Sequence, residues 1–182
     1  VFVDAVHPTH IARPVGCWAP KGSKLALSQT TGRDRLNLHG AIDLETGKTI
    51  VCEELKIDAL SAISLLKSIE ARYQDKRCVH VFLDNAKCHH ALVVREWMRC
   101  PSRRIKLHFI PPYAPNLNPI ERLWGVMHRA ITHNRCYEHF RDFAQAIIGF
   151  LKDEVPKNWA VYCDKITDNF RIISQKKFRI IT

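Results

Sequence analysis

The sequence predicts an α/β domain: a mixed five-stranded sheet, an antiparallel meander followed by parallel strands, with helices on both faces. Three observations carry this. Three strand-like segments come first, and a short turn joins the second to the third, which makes a meander. From residue 58 onward, helical and strand-like segments alternate, as crossovers between parallel strands require. The 182 residues, 46% of them apolar, suit one well-buried domain and are few for two.

Taken in order, residues 1–6 form the first strand, apolar apart from Asp4. It opens with no lead-in, which implies that further chain precedes it. Residues 7–24 read as loop, punctuated by Pro8, Pro14, Pro20 and the turn Lys21-Gly22. Residues 36–43 and 49–55 are strands of a hairpin turning at Glu45-Thr46-Gly47-Lys48. Asp58 is suited to cap a helix to about Tyr73, in which Leu60, Ile63, Leu66, Ile69 and Tyr73 recur at helical spacing. A strand at 79–84, a helix at 89–99 and a strand at 105–110 follow. Residues 111–119 are a rigid, proline-rich loop. Asn118 then caps a helix with Pro119 at its first position, where the missing N–H costs nothing; it runs to about Thr132. A last helix spans about 139–151, with Phe140, Phe143, Ile147 and Leu151 on one face. The tail after Pro156 is basic and unassigned. This element order is that of the ribonuclease H-like fold, with residues 1–182 as a single domain.

The net charge of +10 points to a polyanionic partner, nucleic acid or an anionic surface. No uninterrupted apolar run is long enough to span a membrane, so a membrane protein is not expected. The start has no basic leader and does not read as a signal peptide. Seven scattered cysteines form no C-x-x-C pair and read as reduced thiols of an intracellular protein.

Three carboxylates stand out. Asp4 interrupts an apolar strand, where a charge is costly unless compensated. Asp84 ends the strand Val81-Phe82-Leu83, and ligand sites of open α/β sheets lie beyond strand carboxyl ends. Glu121 sits in the first turn of the Pro119 helix, where the helix dipole favours an ionised carboxylate. Each has an ordinary alternative: an ion pair for Asp4, a turn cap for Asp84, a plain helix start for Glu121. Together they supply hard oxygen ligands from three elements without a Cys/His cluster, which suits Mg²⁺ or Mn²⁺ rather than Zn²⁺. Two such ions can clamp the attacking and leaving oxygens of a phosphoryl transfer.

Three segments carry a family resemblance: FVDAVHPTH at 2–10, FLDNAKCHH at 82–90, and HFIPPYAPNLNPIERLWGVMHR at 108–129. The chain thereby resembles the DDE transposases of bacterial insertion sequences in the mariner-like superfamily. WAPKG at 18–22, HGAID at 39–43 and ITHNR at 131–135 extend the likeness over nearly the whole chain, and 36 residues separate Asp84 from Glu121, close to the family's interval. The resemblance implies a metal-binding triad of Asp4, Asp84 and Glu121. It also implies cleavage at transposon ends by water, then joining of the 3′-hydroxyl to target DNA. It further implies a homodimer on DNA and a bacterial, cytoplasmic, nucleoid-associated location. Family members read their terminal repeats with an N-terminal helix-turn-helix region, which is absent from this chain. Either the sequence is a piece of a longer protein or the reading frame is truncated. Two alternatives stay open: a ribonuclease H-like nuclease or resolvase, and an inactive transposase remnant that only binds DNA.

Around the triad, Asn85 is a candidate to contact a phosphate or orient Asp84, with simple turn chemistry as the alternative. His89 and His90 are candidates to reach DNA, or else occupy a surface helix start. Candidate phosphate contacts are Lys21, Lys24, Arg33 and Arg35 near the hairpin, with Arg122 and Arg129 on the Glu121 helix. Trp124 reads as core packing, and Tyr113 as fixing the loop's shape.

Overall fold

The computed structural model describes residues 1–24, 26–28, 34–112 and 114–167. Arg33 and Tyr113 of the expectations above, and the tail beyond 167, lie outside the described residues. Five strands form one sheet: β1 (Phe2–Val6), β2 (Leu38–Ile42), β3 (Thr49–Glu53), β4 (Val79–Leu83) and β5 (Ile105–Phe109), in the spatial order β3-β2-β1-β4-β5. β1 pairs antiparallel with β2, and β2 with β3, while β1–β4 and β4–β5 run parallel. The meander and the parallel half therefore meet at β1, between β2 and β4.

Hairpin chemistry sets the meander. Gly47 takes a φ of 68°, which residues with a side chain rarely adopt, and the Asp43 carboxylate accepts from the Glu45 amide and the Thr46 hydroxyl. Helix α1 (Ala59–Arg72) starts as the sequence implied. The Asp58 carboxylate accepts from the amides of Leu60 and Ser61, and Ser61 Oγ accepts from the Asp58 amide, a reciprocal cap. Helix α2 covers only Leu92–Met98, shorter than expected. Residues 86–90 instead form tight turns, the amides of His89 and His90 bonding back to the carbonyls of Ala86 and Lys87. The helix resumes only after Ala91.

Beyond the loop, a 3₁₀ turn (Pro115–Leu117) leads into α3 (Pro119–Ile131), which is followed by α4 (Phe140–Gly149). The expected last helix does not run straight to Leu151: a π turn occupies Phe150–Glu154, then come α5 (Val155–Lys157) and α6 (Trp159–Ile166). Pro156 cannot donate a helical hydrogen bond, and the wider turn stands immediately before it.

Each sheet face carries its own core. On one, Leu38 and Ile42 of β2 pack against Ile120, Leu123 and Met127 of α3 and Phe143 and Ile147 of α4. On the other, Val3, Val81 and Leu83 pack against Leu65, Leu66 and Ile69 of α1 and Val94 of α2. The alternation in β4, with Val79, Val81 and Leu83 inward, puts all three on the α1/α2 side. Fully burying each such aliphatic side chain contributes roughly 1.5–3 kcal/mol, so the two layers clamp β1 and β4 firmly. The central strands are rigid supports for whatever stands at their ends. Among the described residues no helix is long and apolar enough to cross a membrane.

Candidate active site

A cavity of about 360 Å³ opens at the sheet edge where β1 and β4 lie side by side, and Asp4, Asp84 and Glu121 all line it. Asn85, Asn118 and the loop residues Ile110 to Pro112 complete most of its wall. Three elements far apart in sequence thus bring the three carboxylates to one cavity.

Asp4 is held by its surroundings. Its register partner on β2 is Gly40. A Cβ on Gly40 would stand 2.6 Å from the Trp124 indole, so the missing side chain lets the ring lie across the strand pair. From there Trp124 Nε1 donates to Asp4 Oδ2 at 2.9 Å. Trp124 is the packing residue expected, at 4% exposure, and it also orients a carboxylate. Its spacing, one turn after Glu121 on α3, was the available signal. Burial, and then the charge of Glu121, push the Asp4 carboxyl up to about 6 against the opposing pull of the Trp124 N–H.

Asp84 is held differently. His89 Nδ1 lies 3.0 Å from Asp84 Oδ1, and the Ala86 amide donates to the same oxygen. The His89 hydrogen bond holds the Asp84 carboxyl below its ordinary range, despite partial burial. His89 is itself buried, with its ring stacked 5.9 Å from that of His39 on β2. Burial, then His89, push His39 down to about 4, so this backing ring is neutral near pH 7. The structure therefore corrects the surface role expected of His89: it faces the protein and positions Asp84, because the tight turns after Asp84 fold it inward. Asn85 is likewise engaged, its Nδ2 donating to the Ile110 carbonyl, which ties the β4 end to the loop after β5.

Glu121 stands exposed in the first turn of α3, and burial, then the Asp84 charge, raise its carboxyl. Asn118 precedes it at the cap position, but its side chain does not cap the helix as expected. Asn118 Nδ2 donates to the Val3 carbonyl at 3.1 Å, pinning α3 to the Asp4 strand, and Oδ1 is buried without a hydrogen-bond partner among the described residues. Arg122 also departs from expectation. Its guanidinium donates to the carbonyls of Ile166, Thr167 and Asn116, so it fastens α6 and the loop to α3 rather than facing open solvent. Lys21, Lys24, Arg35 and Arg129 are exposed, and none of them lines the cavity.

The donor chemistry fits a hard divalent cation. The cavity presents three carboxylates, and burial followed by a neighbouring carboxylate charge raises those of Asp4 and Glu121, a cost that a cation relieves. Asn118, in the same wall, adds a buried Oδ1 that has no hydrogen-bond partner among the described residues. As placed, no three His, Cys, Asp or Glu side chains among the described residues stand close enough to hold one ion. Closing a ligand set requires side-chain rotation, which exposed Glu121 can make more freely than Asp4 and Asp84, each held by a hydrogen bond.

A mixed sheet and a helix that gather three acidic side chains around one cavity fit the class of an endonuclease domain. Residues 1–144 match the family described as DDE superfamily endonuclease, and the chain belongs to that family. It is similar to the Insertion element IS630 uncharacterized 39 kDa protein of Shigella sonnei, with 29% identity over 136 residues, 74% of this chain and 39% of that protein. The chain thus spans about two fifths of the length of this curated relative. Its fold is that of the Mos1 transposase in a paired-end complex with the left transposon end (TM-score 0.58, 15% identity, 89% of this chain and 53% of that one). The Mos1 strand transfer complex is similar at a TM-score of 0.59, with 16% identity, 93% of this chain and 56% of that one. So is the HTLV-2 integrase catalytic core domain in complex with magnesium, at 0.51, with 17% identity, 82% of this chain and 80% of that one. These findings support membership of the DDE superfamily and the five-stranded ribonuclease H-like fold.

Proposed function

We propose that this chain is the catalytic domain of an insertion-sequence DNA transposase, with Asp4, Asp84 and Glu121 as its metal-binding and catalytic triad. The observation that carries the reading is their convergence on one cavity from the middle of β1, the end of β4 and the start of α3, in a chain of this family. Mos1 structures solved with Mn and with Mg support a divalent ion in that cavity. Two bound ions, Mg²⁺ or Mn²⁺, would supply Lewis-acid polarisation of the scissile phosphate and an activated oxygen nucleophile.

The chain's own residues set the frame for that chemistry. Trp124 fixes the rotamer of Asp4, and His89 fixes that of Asp84, so both present an oriented oxygen rather than a mobile one. Asn118 sets the start of α3, and hence Glu121, against the Asp4 strand. Cleavage at transposon ends and strand transfer to target DNA are the same in-line displacement, with water and then a 3′-hydroxyl as nucleophile. Both would take place at this site. DNA is the partner, the working form on DNA is a homodimer, and reading of the terminal repeats belongs to a helix-turn-helix region outside these 182 residues. A cytoplasmic, nucleoid-associated location follows from the same reading.

Asp84→Asn is expected to abolish Mn²⁺-dependent nicking of plasmid DNA while the far-ultraviolet circular dichroism is retained. Nicking at the wild-type rate would overturn the assignment. Scoring strand transfer of a pre-cleaved end beside cleavage separates a transposase from a nuclease or resolvase of the same fold, which would cleave without joining.

A further inference from the structure

A second groove, about 290 Å³ in volume, runs between α2 and the edge strand β5, lined by His90, Val94, Arg95, Met98, Arg99 and Phe109. It adjoins the candidate active site at two points. Phe109 precedes Ile110, a wall residue of the carboxylate cavity, and His90 follows His89, the partner of Asp84. We propose that this groove holds an unpaired stretch of the DNA strand that leaves the carboxylate cavity, with Arg95 and Arg99 on its phosphates and the His90–Phe109 stack against a base. The inference rests on the DNA-transposase reading and adds to it a strand path and an unpaired substrate segment.

Other arginines near the sheet are consumed by the fold: Arg103 pairs with Glu70 and lies over the Trp97 ring, while Arg104 donates to the carbonyls of Glu70, Tyr73 and Lys76. Arg95 and Arg99 are exposed, and neither side chain has an ion pair or hydrogen bond among the described residues. They stand four residues apart, about 6 Å along the helix, a step suited to neighbouring phosphates on one strand. A chain of net charge +10 that leaves two such guanidinium groups unpaired in one groove is complementary to a polyanion.

An aromatic wall stands beside these cations. The rings of His90 and Phe109 stack at 4.3 Å between centroids, and Phe109 keeps 41% of its surface exposed. A large apolar ring exposed at the end of an edge strand, beside two cations, is the pairing of stacking platform and electrostatic funnel that holds unpaired nucleic acid. Inside a paired duplex the base faces are stacked on one another and closed to such a platform.

Fluorescence anisotropy of the full 182-residue chain tests this with two labelled probes, a fully paired duplex and the same duplex with a single-stranded tail. Arg95→Gln/Arg99→Gln is expected to reduce the salt slope for the tailed probe by about 1.4, two contacts at ~0.7 each. Phe109→Leu is expected to weaken the tailed probe by roughly tenfold and to leave the paired duplex unchanged. Both changes fall on exposed positions, and melting curves matching wild type confirm that the fold is kept. An unchanged slope, or equal binding of the tailed probe by Phe109→Leu, overturns the groove while leaving the transposase reading intact. Failure of the wild-type chain to bind either probe would overturn both.

Discussion

Asp4 is a carboxylate set on a central strand where burial and a like charge oppose its ionisation, so function and stability conflict at this residue. Its folded-state value of about 6 lies above the ordinary 3.8. The folded form therefore holds the proton more tightly than the unfolded chain. That contribution is fully present below pH 4 and is lost as the pH rises through 6. Two units correspond to about 3 kcal/mol, so the ionised carboxylate weakens the metal-free fold near neutrality by up to that amount. Asp4→Asn removes the charge and keeps an oxygen for Trp124 Nε1. It should stabilise the metal-free protein by up to about 3 kcal/mol at pH 7.5 and leave it nearly unchanged at pH 4. Urea unfolding in a chelator at the two pH values reads this out, and a pH-independent difference would remove electrostatics as its cause. The oddity of Asp4 was legible in the sequence, since a charge inside an apolar strand asks for a compensating partner. Which partner it has was not, because Trp124 lies 120 residues away and reaches Asp4 only through the packing of α3.

At the scale of elements, the site depends on how α3 seats on the β1–β2 pair. The indole of Trp124 occupies the space over Gly40, and Ile120 lies close by. Gly40→Ala would press a methyl group into a ring that is 96% buried, with core on its other side. The expected result is a loss of roughly 1–3 kcal/mol, as for other overpacked sites. The displaced indole should also release Asp4, which would show as a shift in the tryptophan near-ultraviolet circular dichroism and a fall in Mn²⁺-dependent nicking larger than the stability loss explains. Gly40→Ala with wild-type stability and nicking would mean that the indole can move without cost. The elements themselves were largely readable, because caps and turns are local. Asp58 with its helix and the Gly47 turn are decided by neighbours within a few residues. Contacts between elements were not. His89 belongs by spacing to a surface helix, yet the turn bonds of residues 86–90 fold it under Asp84. Asn118 has the composition of a cap, yet its amide bonds to β1 because α3 passes directly beneath that strand.

For the whole molecule, the decisive question is whether the three carboxylates act as one ligand set. A chain of this family with net charge +10 would bind DNA whether or not its chemistry survives, so DNA affinity alone does not separate an enzyme from a remnant. Metal linkage does. Burial, and then a neighbouring carboxylate charge, raise both Asp4 and Glu121. An ion bound to the folded state alone stabilises it by about 2.7 kcal/mol at a hundredfold excess over its dissociation constant. Thermal melting at pH 7.5 should therefore rise steadily with Mn²⁺, and more weakly with Mg²⁺ at the same concentration. The rise should shrink at pH 5, where Asp4 binds its proton instead of the ion, since its folded value lies near 6. Glu121→Gln should keep the fold and lose most of the rise, because Glu121 is one of the three carboxylates that line the cavity. A melting temperature indifferent to both ions would leave a basic, folded domain whose acidic cavity no longer collects metal, and would favour the DNA-binding remnant over the enzyme.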